Sequence, residues 1–262
     1  MDGIWLRKHV RVMGTVALVA AALTLAGCKS SGVGTELDPL ATASTSKPGP
    51  SFKKTEALSK QWKADPTQVN VAIAYANSLD ELGQKPTQIE VLRTTASKTL
   101  TSPVAQLEIG KALLGAGDME GASTSLERAV QLNPRDPHAL SVLGAALDQQ
   151  TKHVEAREQY MKALALAPGD VTVMNNLAMS YSLQGKLPEA EATLRKAMSL
   201  PAAAGTPRIR QNLALVVGLQ GRFDEAKKIA SEDLPPDQVE ANMAYLQQML
   251  ASSNTWAKLK EG

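Results

Sequence analysis

"PHALSVLGAALDQQTKHVEAREQYMKALALAPGD", Pro137 to Asp170, is the stretch that decides the fold. Its first half puts Leu143, Gly144 and Leu147 on one helical face, because residues three and four apart stack along a helix. Its second half does the same with Ala156, Tyr160 and Ala163. Thr151 stands between the halves, and Pro168 stops the second one, since proline has no N–H to continue a helix. The stretch therefore reads as two helices joined by a turn.

The pattern recurs in both directions every 34 residues. Gly83, Gly117, Thr151 and Gly185 are each 34 apart, and Gly221 follows after 36. Pro66, Pro134 and Pro168 share the same phase, with Leu100 in the vacant slot. Ala122, Ala156, Ala190 and Ala226 form another column. A small residue returns at Ala76, Gly110, Gly144, Ala178 and Ala214, each preceded by a large apolar one (Tyr75, Ile109, Leu143, Leu177, Leu213). Three residues after each small one stand Leu79, Leu113, Leu147, Tyr181 and Val217. The small residue lets the second helix approach, and the glycine slot ends the first helix. Leu92, Leu126, Tyr160 and Leu194 fill the gap beyond the crossing.

Composition agrees. Of 262 residues 44% are hydrophobic but only 3% aromatic, so the apolar content is mainly Ala and Leu, which favour helices. The fold class expected is all-α. Net charge is +2, and Arg7, Lys8 and Arg11 against Asp2 account for all of it. The remaining 25 basic and 25 acidic residues give no nucleic-acid-binding surface.

These columns resemble the tetratricopeptide repeat (TPR), a 34-residue helix-turn-helix unit. The resemblance implies a right-handed α-solenoid of about five helix pairs, at 69–102, 103–136, 137–170, 171–204 and 207–234. Capping helices are expected at 51–68, with Leu58 and Trp62 on one face, and at 235–251, with Val239, Met243, Leu246 and Leu250 as its stripe. Residues 252–262 are left as a tail. The departures are Gln88 and Thr95 in small-residue slots, Thr151 in the turn slot, and Ala230 where a large residue is usual.

Residues 1–27 read as a secretion signal: a basic start, then an apolar stretch from Val12 to Leu25, too short for the roughly 20 residues of a bilayer span. Leu25-Ala26-Gly27-Cys28 resembles the bacterial lipoprotein signal. It implies cleavage before Cys28, the chain's one cysteine, and acylation of its thiol. Lys29 in place of Asp points to the outer membrane, with the helical part facing the periplasm. Residues 28–50, rich in Ser, Thr, Gly and Pro, read as a flexible tether.

No catalytic constellation is present. His9 lies in the signal, and His138 and His153 lack metal-ligand spacing. "GAGDMEG" (Gly115–Gly121) lacks the ending of a phosphate loop. Glu155, Glu158, Glu189 and Glu191 read as solvated outer-face residues, and Met161, Met174, Met179 and Met198 as packing. The expectation is a non-enzyme, with no metal, no cofactor beyond the lipid on Cys28, and no small-molecule substrate.

In peptide-binding TPR proteins the first helices line a concave groove. Carried over by column, that resemblance assigns Asn176 and Asn212, with Asn175 beside them, to a ligand backbone. It assigns Lys111 and Arg208 to carboxylates, and places Asn77, His138 and Met179 on the same face. The segment "DLPPDQVEANMAYLQQML" (Asp233–Leu250) is further similar to the C-terminus of the TadD-like lipoproteins of Flp/Tad pilus assembly. That resemblance implies a pilotin-like assembly factor whose partners belong to a pilus secretion machine, the secretin among them. The competing class is an accessory lipoprotein of another envelope machine, for β-barrel assembly or for presenting a polysaccharide or peptidoglycan enzyme.

Overall fold

The computed structural model describes residues 52–260, with side chains through residue 251. The expected signal, Cys28 and the expected tether lie outside the described residues. Twelve α-helices are found among those described, and the all-α expectation holds. Helix α1 (Phe52–Ala64) precedes five helix pairs: α2/α3 (Val69–Glu81, Lys85–Lys98), α4/α5 (Pro103–Gly115, Met119–Leu132), α6/α7 (Pro137–Gln149, His153–Leu166), α8/α9 (Val171–Leu183, Leu187–Met198) and α10/α11 (Pro207–Leu219, Phe223–Ala230). Helix α12 (Pro236–Lys260) closes the array.

Starts and stops follow from local chemistry. Asp136 and Asp170 accept the first free amides of α6 and α8, from His138 and Ala139 and from Thr172 and Val173. Ser102 caps α4 through the Ala105 amide. Pro103, Pro137 and Pro207 occupy first turns, where no amide partner is needed. Every turn within a pair passes through positive φ, at Gly83, Gly117, Thr151, Gly185 and Gly221. The next residue's amide then donates back to the apolar residue that ends the first-helix stripe, as from Lys152 to the Leu147 carbonyl at 3.0 Å. Thr151, at φ 63°, adopts this β-branched and without glycine's freedom.

The small-residue columns set how closely the helices approach. A Cβ added at Gly144 would lie 2.7 Å from the Tyr160 ring, and one at Gly110 equally close to Leu126. Tyr160 and Leu126 are fully buried in a core that runs from Leu107 to Leu177. Successive first helices also pack on one another, α2 on α4, α4 on α6, α6 on α8 and α8 on α10, more than successive second helices do. The first helices thereby form one continuous face.

Both ends are closed. Leu58 and Trp62 of α1 pack against Tyr75, Leu79 and Val91. The Trp62 Nε1 donates to Thr95 Oγ1 at 2.9 Å, which gives a reason for the polar residue in a small-residue slot. At the other end, Val239 of α12 packs with Ala214 and Ala230, supplying the volume that Ala230 lacks. Leu246 sits over Gly218, where a Cβ would lie 2.8 Å from it.

Three expectations need correction. Helix α12 starts at Pro236 and runs to Lys260 rather than ending at Ala251, because no proline or glycine interrupts 252–260. Met161 is 50% exposed, since its position on α7 faces away from α6 and α8, whereas Met174 is buried as expected. Glu191 is not solvated, as described below.

Candidate partner-binding face

Eight side chains were assigned to the first-helix face, and their surroundings differ. Asn77, His138 and Arg208 are exposed on α2, α6 and α10. Asn176 and Met179 are half-buried on α8. Asn175 is buried, and its Oδ1 accepts from Asn212 Nδ2 at 2.7 Å, so these two amides tie α8 to α10. That bond takes one of the groups that each amide could offer a ligand backbone. Lys111 is half-buried with its ammonium 3.0 Å from both oxygens of Glu108, so its charge is already neutralised within α4. Asn77 and Lys111 line the same cavity between α2 and α4. Val104, 69% exposed at the start of α4, belongs to this face and was missed by the sequence reading.

The fixed polar groups cluster elsewhere. Asp148, at the end of α6, receives the Ser180 hydroxyl at 2.7 Å and the Tyr160 hydroxyl at 3.0 Å, and lies 2.8 Å from His153 Nδ1. Burial, with Asp148 beside it, pushes the Tyr160 pKa up, so the hydroxyl remains a donor. The three donors share one carboxylate, with no Ser-to-His contact, so the cluster joins α6, α7 and α8 without the geometry of a nucleophile and base. Arg157 adds to the joint, buried with its guanidinium 5.1 Å from the Tyr181 ring centre.

Asp118 caps α5 and accepts two bonds from Arg93, at 2.6 and 2.7 Å. Those bonds hold its carboxyl below the ordinary range. Glu191 of α9 binds Arg195, Arg222 and Gln220, and Glu225 joins both arginines. Burial alone would push the Glu191 carboxyl up, but the bonds from Arg222, Gln220 and Arg195 outweigh it and hold the carboxyl at about 2. Because the folded value is depressed, this clamp stabilises above the ordinary carboxylate range and is lost as pH falls toward about 2. The i, i+4 spacing of Glu191 and Arg195 was legible in sequence, but Arg222, 31 residues on, was not.

Among the described residues no three His, Cys, Asp or Glu side chains gather as a metal ion would require, and no helix is long and apolar enough to cross a membrane.

Residues 107–171 and, overlapping them, 159–192 match models of the tetratricopeptide repeat. The chain is similar to the peroxisomal targeting signal receptor of Kluyveromyces lactis, 33% identical over 98 residues, which are 37% of this chain and 17% of that protein. It is also similar to a TPR repeat-containing protein of Pseudomonas aeruginosa, 34% identical over 82 residues, 31% of this chain and 14% of that one. The matched stretches thus span less than a fifth of these curated relatives. Among solved structures, a thermophilic TPR protein of Thermus thermophilus aligns with a TM-score of 0.52 at 22% identity, covering 69% of this chain and 99% of that one. That likeness is one of fold alone.

Proposed function

We propose, on the premise that these helix pairs are tetratricopeptide repeats, that the chain is a non-catalytic, lipid-anchored envelope scaffold. Its first-helix face holds an extended segment of a partner protein. The observation that carries this reading is the continuity of that face from α2 to α10, with Asn77, Val104, His138 and Arg208 exposed along it. The stretch shared with a targeting signal receptor supports a face that receives a segment of another protein. The Leu25–Cys28 motif supports an acyl anchor on Cys28 and a periplasmic face of the outer membrane. The Leu-Pro-Pro turn entering α12 supports a place in Flp/Tad pilus assembly, with the secretin as the partner.

Two measurements test the proposal. Cys28→Ala is expected to move the protein from the membrane to the soluble fraction, and unchanged membrane retention would overturn the anchor. Photo-crosslinking residues placed at Val104 and Met179 are expected to capture a partner inside the envelope, with Glu158 on α7 as the control. Secretin peptides in the adduct support pilus assembly. Components of β-barrel assembly or a polysaccharide enzyme replace it with the accessory-lipoprotein reading. Capture from Glu158 alone moves the binding site off the first-helix face.

A further inference from the structure

Gln88 is out of place in its column. The corresponding residues are Ala122, Ala156, Ala190 and Ala226, all fully buried against their first helices. Gln88 is buried as well, 5% exposed, and its Oε1 has no hydrogen-bond partner. A buried amide oxygen left unpaired costs stability, and an alanine here would avoid that cost. The other polar intruder of this pair, Thr95, is satisfied by Trp62. Gln88 has no such internal use.

The residue lines an open cavity of ≈ 370 Å³ on the first-helix face. Helix α2 contributes Asn77 and Asp80, helix α4 contributes Glu108 and Lys111, and Gln88 reaches in from α3. Ile73 and Ala112 supply apolar wall. The one lysine is occupied, its ammonium 3.0 Å from both Glu108 oxygens. Asp80 pairs through Oδ1 with Lys85 at 3.2 Å, and this pair is about half exposed. The amides of Asn77 and Gln88 can each donate or accept, so the two carboxylates tip the cavity toward acceptors. A carboxylate entering here would meet two carboxylates. A guanidinium or ammonium would meet acceptors at its head and apolar wall along its stem.

We propose that this cavity takes an arginine or lysine side chain of the partner's extended segment. The proposal rests on the first-helix face being the partner's seat. It reverses the role that the column pattern gives Lys111: its task is to orient Glu108, and the carboxylates and Gln88 do the binding. Turning the Gln88 amide so that its buried, unpaired oxygen points into the cavity gives that oxygen the donor it lacks.

The test uses the detergent-solubilised full chain and two dansyl-labelled Gly/Ala peptides that differ only in a central Arg or Glu. The Arg peptide is expected to bind about tenfold more tightly, the scale of one charge-assisted pair. Asp80→Asn combined with Glu108→Gln should erase the preference. Gln88→Ala should weaken the Arg peptide severalfold while raising Tm by about 3 °C, because it restores the column's residue and removes a buried unpaired group. A residue with only a packing role would not separate stability from binding in this way. Equal affinities, a preference for Glu, or unchanged Arg binding in Gln88→Ala would each overturn the proposal. If Val104 and Met179 capture a partner but the Arg preference is absent, the pocket alone falls; if neither captures one, the face falls with it.

Discussion

The pairs α2/α3 and α6/α7 share one backbone plan and break its rules in opposite places. The first breaks it in the core, with Gln88 and Thr95 where other pairs have small residues. The third keeps that core intact, with Ala156, Ala163 and a ring on Gly144, and breaks the plan in the turn at Thr151. A core departure reaches other elements: Thr95 holds α1, and Gln88 opens onto the cavity shared with α4. A turn departure stays local, since nothing packs within 4 Å of where a Cβ would stand at the glycine turns. Turn exceptions in a repeat protein are thus local strain, and core exceptions are where a neighbour or a ligand is to be sought.

Three substitutions sharpen this contrast. Tyr160→Ala attacks the intact core of α6/α7 and should cost about 3–5 kcal/mol, by lost burial and cavity formation, read from the denaturant midpoint. Since a repeat array is held by nearest-neighbour contacts, hydrogen exchange should rise first in α6, α7 and α8. An effect spread evenly to α1 and α12 would show that the pairs do not differ in this way. Trp62→Phe keeps the ring but leaves Thr95 without its donor. It should cost about 1–2 kcal/mol and loosen α1 before any other helix. If α1 protection is unchanged, Thr95 is a mere departure from the column. Thr151→Gly should be the smallest change and a gain, about 1 kcal/mol, by relieving a β-branched residue at positive φ. A loss would place Thr151 among the residues with a structural partner.

Much of the fold was legible because the information is columnar. The glycine slots have a single backbone solution, and the close approach at Gly110 and Gly144 makes side-chain size readable at fixed spacing. The caps at Asp136 and Asp170 were equally available as Asp preceding a helix start, though the columns drew attention to the prolines instead. What escaped lies between pairs. Asn175 and Asn212 are 37 residues apart, and Glu191 and Arg222 are 31 apart, distances that no helical period announces. The face residues were placed on the right helices by column, but their partners decide what they can bind. Lys111 is spent on Glu108, and Asn175 on Asn212, which a pattern of residue types does not record. The length of α12 escaped for a different reason: Ser252, Ser253 and Asn254 weaken a helix without stopping one.

The seating of Val239 and Leu246 at the far end has a consequence for self-association. A stack of like units that left its last pair bare would offer an apolar surface fitted to the first pair of another copy. Such head-to-tail contacts do not close on themselves, so they grow into fibres. Helix α12 fills that surface, and α1 covers the opposite one with Leu58 and Trp62. The repeat is an open-ended design, and these two helices cover its two end surfaces.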